Sequence, residues 1–288
     1  MRARSFKFAL AGAVLCVQIG IAQNAAQPAR PAAAPPARGP INRAPDPRVQ
    51  QRKYHFADTN EDLPYAVFVS SKVSKDKKNP LIVALHGLGG NQNSLMRGNA
   101  VDLAEEGGYI LVGPMGYNSQ GWYGSPVIKG PPRGGQGNTQ PDADPPNLTE
   151  LSAKDVMNVL DIIRKEFNVD ERRTYLMGHS MGGAGTLYLG AKYASNWAAI
   201  GAIAPAAFAM LPNAGSLLTP IKDTMPVVIA QGDADTVVPP QYARRWVDAM
   251  KQLGMNYKYV EMPGEDHGTI IAKSMPDIFA FFAAHTKQ

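Results

Sequence analysis

The stretch YLMGHSMGGAG at residues 175–185 limits the folds open to this chain more than any other part of it. An apolar, strand-like run breaks into glycines around a single serine and then resumes in small residues. Gly178 and Gly182 let the backbone through a turn too tight for residues with a Cβ, which holds the Ser180 hydroxyl above the edge of a sheet. The helix expected next points its N-terminus at whatever gathers negative charge there. The pattern G-x-S-x-G is common by chance. Here it follows RRTYLM and precedes a helical run, the context that a nucleophile elbow requires. The alternative is a glycine-rich helix start with a solvated serine.

The flanking sequence supplies a sheet for such an elbow. YHFADT and PYAVFVS read as a strand hairpin, and PLIVALH and GGYILVGP as strands covered on both faces. After a loop rich in Gly and Pro at 116–147, NLTELSAKDVMNVLDIIRKEF spaces its apolar residues as a helix, with Asn147 and Thr149 as candidate caps. RRTYLMG, WAAIGAIAP, MPVVIAQG and YKYVEMP follow as strands. Helices are expected over MGGAGTLYLGAKYA, PQYARRWVDAMKQLG and IIAKSMPDIFAFFAAH. This alternation predicts an α/β fold, a mostly parallel sheet with helices on both faces. The segment between AIAPAAF and MPVVIA is too short for a large lid.

One catalytic domain at 54–288 accounts for the organised sequence, and 44% hydrophobic residues are enough to build its core. Residues 1–22 are basic at Arg2, Arg4 and Lys7, then apolar over a stretch too short to span a bilayer, and end in small residues. They predict a signal peptide and a secreted or periplasmic protein with no stable membrane anchor; an uncleaved anchor is the alternative. Residues 23–53, rich in Ala, Pro and Arg, predict a disordered tether. The only cysteine, Cys16, lies in the signal, which removes disulfides, thiol catalysis and cysteine metal sites from the mature chain. The net charge of +5 is a matter of segments: nine of the 29 Lys and Arg residues but one of the 24 acids precede Tyr54. The body is mildly acidic, so nucleic acid is not an expected partner. The histidines show no metal-ligand spacing and no glycine-rich phosphate motif is present, so neither metal nor cofactor is expected.

A serine hydroxyl needs a base within hydrogen-bond reach, most often histidine. Of five histidines, His55 sits in an early strand, His86 ends a strand, His179 is within the elbow, and His285 closes the last helix. His267, in the loop PGEDHGT after the last strand, is free to lean over the sheet edge. A carboxylate must fix its tautomer, and GDADTVVP places Asp233 and Asp235 just beyond a strand. Asp235 is deeper in that loop and is the preferred partner. Glu265 and Asp266, beside His267, are expected to face solvent.

Serine, acid and histidine thus follow the chain order of the α/β-hydrolases. From Tyr54 to Gln288 the sequence resembles that superfamily, through LHGLGGN, GHSMGG, GDADTVVP and EDHGT. The resemblance implies an oxyanion hole built from the backbone N–H groups of Leu88 and Met181. Within the superfamily, LHGLGGN and GPMGYNSQGWYG look most like secreted esterases of the polyhydroxybutyrate depolymerase and feruloyl esterase type, and like prolyl oligopeptidase catalytic domains. That implies a serine hydrolase cleaving carboxylic esters through an acyl-enzyme on Ser180. Trp122 and Tyr123, aromatic residues of the Gly/Pro-rich loop, are candidates to line a substrate pocket, with simple packing as the alternative. Without mature cysteines or an appended binding domain, small soluble or oligomeric esters are expected rather than a solid polymer. A serine peptidase and a non-catalytic binding protein of the same fold are the alternatives.

Overall fold

The computed structural model describes residues 44–127 and 144–287. The expected signal peptide, most of the expected tether and the middle of the Gly/Pro-rich loop lie outside the described residues. The elements are β1 (Gln50–Phe56), β2 (Glu61–Val69), β3 (Asn79–Leu85), α1 (Asn99–Gly107), β4 (Ile110–Pro114), α2 (Leu148–Glu166), β5 (Val169–His179), α3 (Met181–Lys192), β6 (Ala199–Ile203), α4 (Ala214–Leu218), β7 (Val227–Gly232), α5 (Pro240–Gln252), β8 (Tyr257–Met262) and α6 (Thr269–Ala284). The strands form one eight-stranded sheet in the order β1-β2-β4-β3-β5-β6-β7-β8. β1 and β2 are antiparallel to each other, β2 is antiparallel to β4, and every later pairing is parallel.

β3 shows why its sequence is apolar throughout. Leu81, Val83 and Leu85 face a core formed with α2, α3 and α5, while Ile82 and Ala84 face a second core formed with α1 and α6. Both faces of a parallel strand are covered, so neither carries polar residues. Trp246 of α5 and Trp197 anchor the first core, and Tyr175 stacked on Phe282 at 4.6 Å anchors the second.

Three sequence expectations need correction. The domain begins before Tyr54: Gln50 to Lys53, assigned to the tether, are the first residues of β1, with Gln50 paired to Val67. This edge strand exposes most of its side chains, so QQRK shows no apolar alternation. Helix α1 was not expected. It carries three acids in nine residues, starts at Gly98 without a side-chain cap, and is held by burying Ala100, Val101 and Ala104. Asn147 stands at the start of α2, but its side chain makes no cap hydrogen bond. Between β6 and β7 the chain forms only short helical turns, Phe208–Asn213, α4 and Thr219–Ile221. Among the described residues, no helix is long and apolar enough to cross a membrane.

The turn from β5 into α3 is as tight as its sequence implies. Ser180 has φ 55° and ψ −114°, a conformation that side chains rarely adopt. A Cβ on Gly178 would stand 2.2 Å from the Gly182 carbonyl oxygen, and one on Gly182 would stand 2.2 Å from the Leu85 carbonyl oxygen. Both obstacles are backbone and cannot swing away. Gly178→Ala and Gly182→Ala should each cost about 1–3 kcal/mol, the range for forced overpacking. Urea unfolding of the two variants checks this, and parental stability in either would show that the turn is looser than described.

Candidate active site

The functional candidates collect where the parallel strands end. Ser180 directly follows β5, Asp235 lies just past β7, and His267 lies in the loop from β8 to α6. His267 Nε2 is 2.9 Å from Ser180 Oγ, and His267 Nδ1 is 2.7 Å from Asp235 Oδ2. The serine, histidine and acid chosen from sequence are therefore brought into one hydrogen-bonded line. Asp233 is not part of it; its Oδ1 accepts the Gly264 N–H at 2.7 Å and ties the β7 loop to the β8 loop. Asp266 is exposed and caps α6, accepting the Gly268 and Thr269 N–H groups at 2.8 Å. The other histidines stand elsewhere: His55 lies exposed near Asp62, and His285 Nδ1 meets the Phe281 carbonyl.

The Asp235 carboxylate is buried and fully engaged. Oδ1 accepts the N–H groups of Val237 and Val238 at 2.9 and 2.8 Å, and Oδ2 accepts Gln231 Nε2 at 3.0 Å besides His267. Burial works against its charge, but the His267 hydrogen bond and the Val238 and Val237 N–H groups hold the carboxyl below the usual carboxylate range. Sequence reasoning missed Gln231. The only signal was a polar residue at the end of the apolar strand VVIAQG, where a buried amide needs partners.

His179 was also missed as part of the site. Its Nε2 lies 2.8 Å from the His267 carbonyl oxygen, which can only accept, so Nε2 carries the proton. Burial first, and then the positive charge of His267, pushes the His179 imidazole down to about 3. A neutral ring whose centroid is 4.6 Å from that of His267 pins the histidine loop without repelling an imidazolium formed there.

Opposite the histidine, residues 86–90 pass the serine from β3. Gly90 N–H donates to the Gly87 carbonyl and Gly89 N–H to the Ser119 carbonyl. Among the described residues, no acceptor is present for the N–H of Leu88 or that of Met181 at the start of α3. The two groups expected at an oxyanion hole are thus left free. The Leu88 side chain is 51% exposed. The expected pocket role of Tyr123 does not hold. Its exposure is 0%, its hydroxyl donates to the His86 carbonyl at 3.2 Å, and its ring covers Gly185 of α3. Trp122 is half-buried and packs against the same core. Among the described residues, no group of three or more His, Cys, Asp or Glu side chains is placed to hold a metal.

This geometry sits within a recognisable family. The Esterase family model, described as "putative esterase", matches residues 57–215, more than half of the chain, and the chain belongs to that family. The prolyl oligopeptidase family model matches residues 214–288. No curated protein is a match. Among solved structures, a thermostable esterase is 22% identical with a TM-score of 0.60, over 83% of this chain and 64% of that one, so this chain spans less than two thirds of it. An S-formylglutathione hydrolase from Agrobacterium tumefaciens is 18% identical with a TM-score of 0.63, over 82% and 94% of the two chains. A ferulic acid esterase from Anaeromyces mucronatus is 20% identical with a TM-score of 0.62, over 82% and 91%. The shared fold is that of the α/β-hydrolases.

The neutral His179 makes acid stability a test of the site. The unfolded chain takes up a proton at this residue near pH 6.5, and the folded chain only near 3. Stability is therefore lost as pH falls through that window. Asp155, pushed up to about 6 by burial, works in the opposite sense and stabilises the folded state as pH falls below 6. His179→Gln, which keeps a donor to the His267 carbonyl, should isolate the histidine effect. Between pH 7 and 4.5 the parent should lose on the order of 3 kcal/mol more unfolding free energy than the variant. Equal losses in urea titrations would mean that His179 is not held neutral.

Proposed function

We propose that this chain is a secreted serine hydrolase of carboxylic esters, acting through an acyl-enzyme on Ser180. The observation that carries the reading is the unbroken line from Ser180 Oγ through the His267 ring to Asp235, at 2.9 and 2.7 Å. In the reaction, His267 Nε2 takes the hydroxyl proton as Ser180 Oγ attacks the ester carbonyl. Asp235 keeps the ring proton on Nδ1 and offsets the imidazolium charge. The negative charge on the carbonyl oxygen is received by the N–H groups of Leu88 and Met181 and by the N-terminus of α3. His267 then gives its proton to the departing alcohol. A water activated by the same ring attacks the acyl-serine, releasing the acid and restoring the hydroxyl.

Small soluble or oligomeric esters are the expected substrates, because only short helical turns stand between β6 and β7 and no large lid is built there. Ester chemistry accords with the Esterase family match and with the esterases among the structural neighbours. The match of residues 214–288 to the prolyl oligopeptidase family supports a second reading, a peptidase using the same residues. A panel of p-nitrophenyl esters from acetate to palmitate, methyl ferulate and an aminoacyl-proline anilide separates the two. Turnover of the anilide alone would overturn the ester reading.

Ser180→Ala should abolish both hydrolysis and covalent labelling by a sulfonyl fluoride, which adds one mass to the parent. Near-parental turnover in that variant would return the motif to a glycine-rich helix start. Asp235→Asn should lower kcat by up to about 10⁴-fold while Asp233→Asn stays within about threefold; the reverse result would reassign the acid. Intact mass of protein exported to the periplasm or medium should show the loss of about 22 residues. Met1 retained on exported protein would refute cleavage.

A further inference from the structure

The loop at residues 115–124 holds a backbone that its own sequence does not favour. Gly116, Tyr117, Trp122, Tyr123 and Gly124 all have φ between 53° and 81°, and three of them are large aromatic residues. Such conformations persist only where the surroundings over-determine them. The support comes from one face of α2. Ser152 and Asp155 lie three positions apart and are both fully buried. Asp155 Oδ2 accepts the Gly116 N–H at 2.6 Å and the Tyr117 N–H at 3.2 Å, while its Oδ1 accepts the Tyr54 hydroxyl at 2.6 Å. Ser152 Oγ accepts the Tyr123 N–H at 3.0 Å.

The far side of this loop grips the segment that carries Leu88. His86 Nε2 meets the Met115 carbonyl at 2.7 Å, the Tyr123 hydroxyl donates to the His86 carbonyl at 3.2 Å, and the Gly89 N–H donates to the Ser119 carbonyl at 2.9 Å. These contacts bracket Leu88 on both sides and leave its own N–H free. Burial pushes the Asp155 carboxyl up to about 6. An ionised acceptor is thus kept in the interior against its solvation, where its bonds to backbone N–H groups are shorter and stiffer than neutral ones.

We infer that Asp155 is a positioning residue: through residues 115–123 it holds the Leu88 N–H where negative charge develops on a carbonyl attacked by Ser180. This rests on the ester hydrolase reading and names the support of its oxyanion hole. Asp155→Ala should lower kcat for p-nitrophenyl acetate by roughly 10²-fold, as loss of an oxyanion donor does, with KM within about threefold. Binding of phenylboronic acid, whose tetrahedral adduct on Ser180 places an oxygen in the same hole, should weaken by roughly the same factor. Asp155→Asn, whose amide oxygen still accepts from Gly116 and Tyr117, should recover most of both. Parental kcat and boronate affinity in folded Asp155→Ala would overturn the inference, as would a lowered melting temperature with parental kcat. If Asp155→Ala does not fold, Ser152→Ala takes its place, with a kcat loss of about 5–10-fold at unchanged KM expected and parental kcat overturning. Failure of the underlying reading looks different: phenylboronic acid would then bind Ser180→Ala as tightly as the parent.

Discussion

The close approach of α3 to the end of β3 is the constraint on which the rest of this structure depends. Gly182 lies so near the Leu85 carbonyl that no Cβ fits between them. That contact joins the elbow at Ser180 to the loop at residues 86–90 with no intervening side chain. It also sets the scale of the site, because an attacking oxygen and the donors meant to receive the resulting charge must lie within about 3 Å of one reacting group. The conformation of Ser180 is costly for a residue with a side chain. It is held because the Ser180 N–H donates to Ile203 and the Ser180 carbonyl accepts from Ala184 and Ala206. The elbow is therefore braced by β6 and by its own helix.

Around that contact, charge is placed with economy. The Asp235 carboxylate has donors on both oxygens, so it can stay ionised while buried and can meet a positive ring at His267. Two further histidines, His86 at the end of β3 and His179 next to the serine, are both driven toward the neutral form by burial. Their rings serve as hydrogen-bonding struts, His179 to the His267 loop and His86 to residue 115. A second charged imidazole 4.6 Å away would oppose the one that the proposed chemistry needs.

The sequence made the parallel body of the fold legible because strands covered on both faces leave uninterrupted apolar runs, as PLIVALH and MPVVIAQG do. The serine, acid and histidine were legible for a different reason: each sits in a short loop just past such a strand, so topology alone carries them to one edge. What stayed hidden depends on long-range contacts. QQRK of β1 is polar because its strand is at the edge, and α1 turns only the three residues Ala100, Val101 and Ala104 fully to the core, too short an apolar stripe to stand out in sequence. Tyr123 looked like a pocket residue because aromatic loop residues and core residues are the same in sequence, and only its complete burial separates them. Gln231 and Asp155 carry no motif. Their meaning lies in partners, near for the first and 38 to 101 residues distant for the second.

The division of the family matches has a physical counterpart. Residues 57–215 match the Esterase family and residues 214–288 the prolyl oligopeptidase family, and the two meet inside α4, between β6 and β7. The serine and the loop of Leu88 fall in the first part, and Asp235 and His267 in the second. The line from serine to acid therefore crosses the junction, and neither part holds it alone. Acyl transfer to a serine makes the same demands of an ester as of an amide up to the departure of the leaving group. Under the proposed hydrolysis, the line itself therefore does not distinguish an ester from an amide, and selection falls to the side chains around it. Leu88, in the loop after β3, and Val237, in the loop of Asp235, are large, apolar and about half exposed, at 51% and 54%.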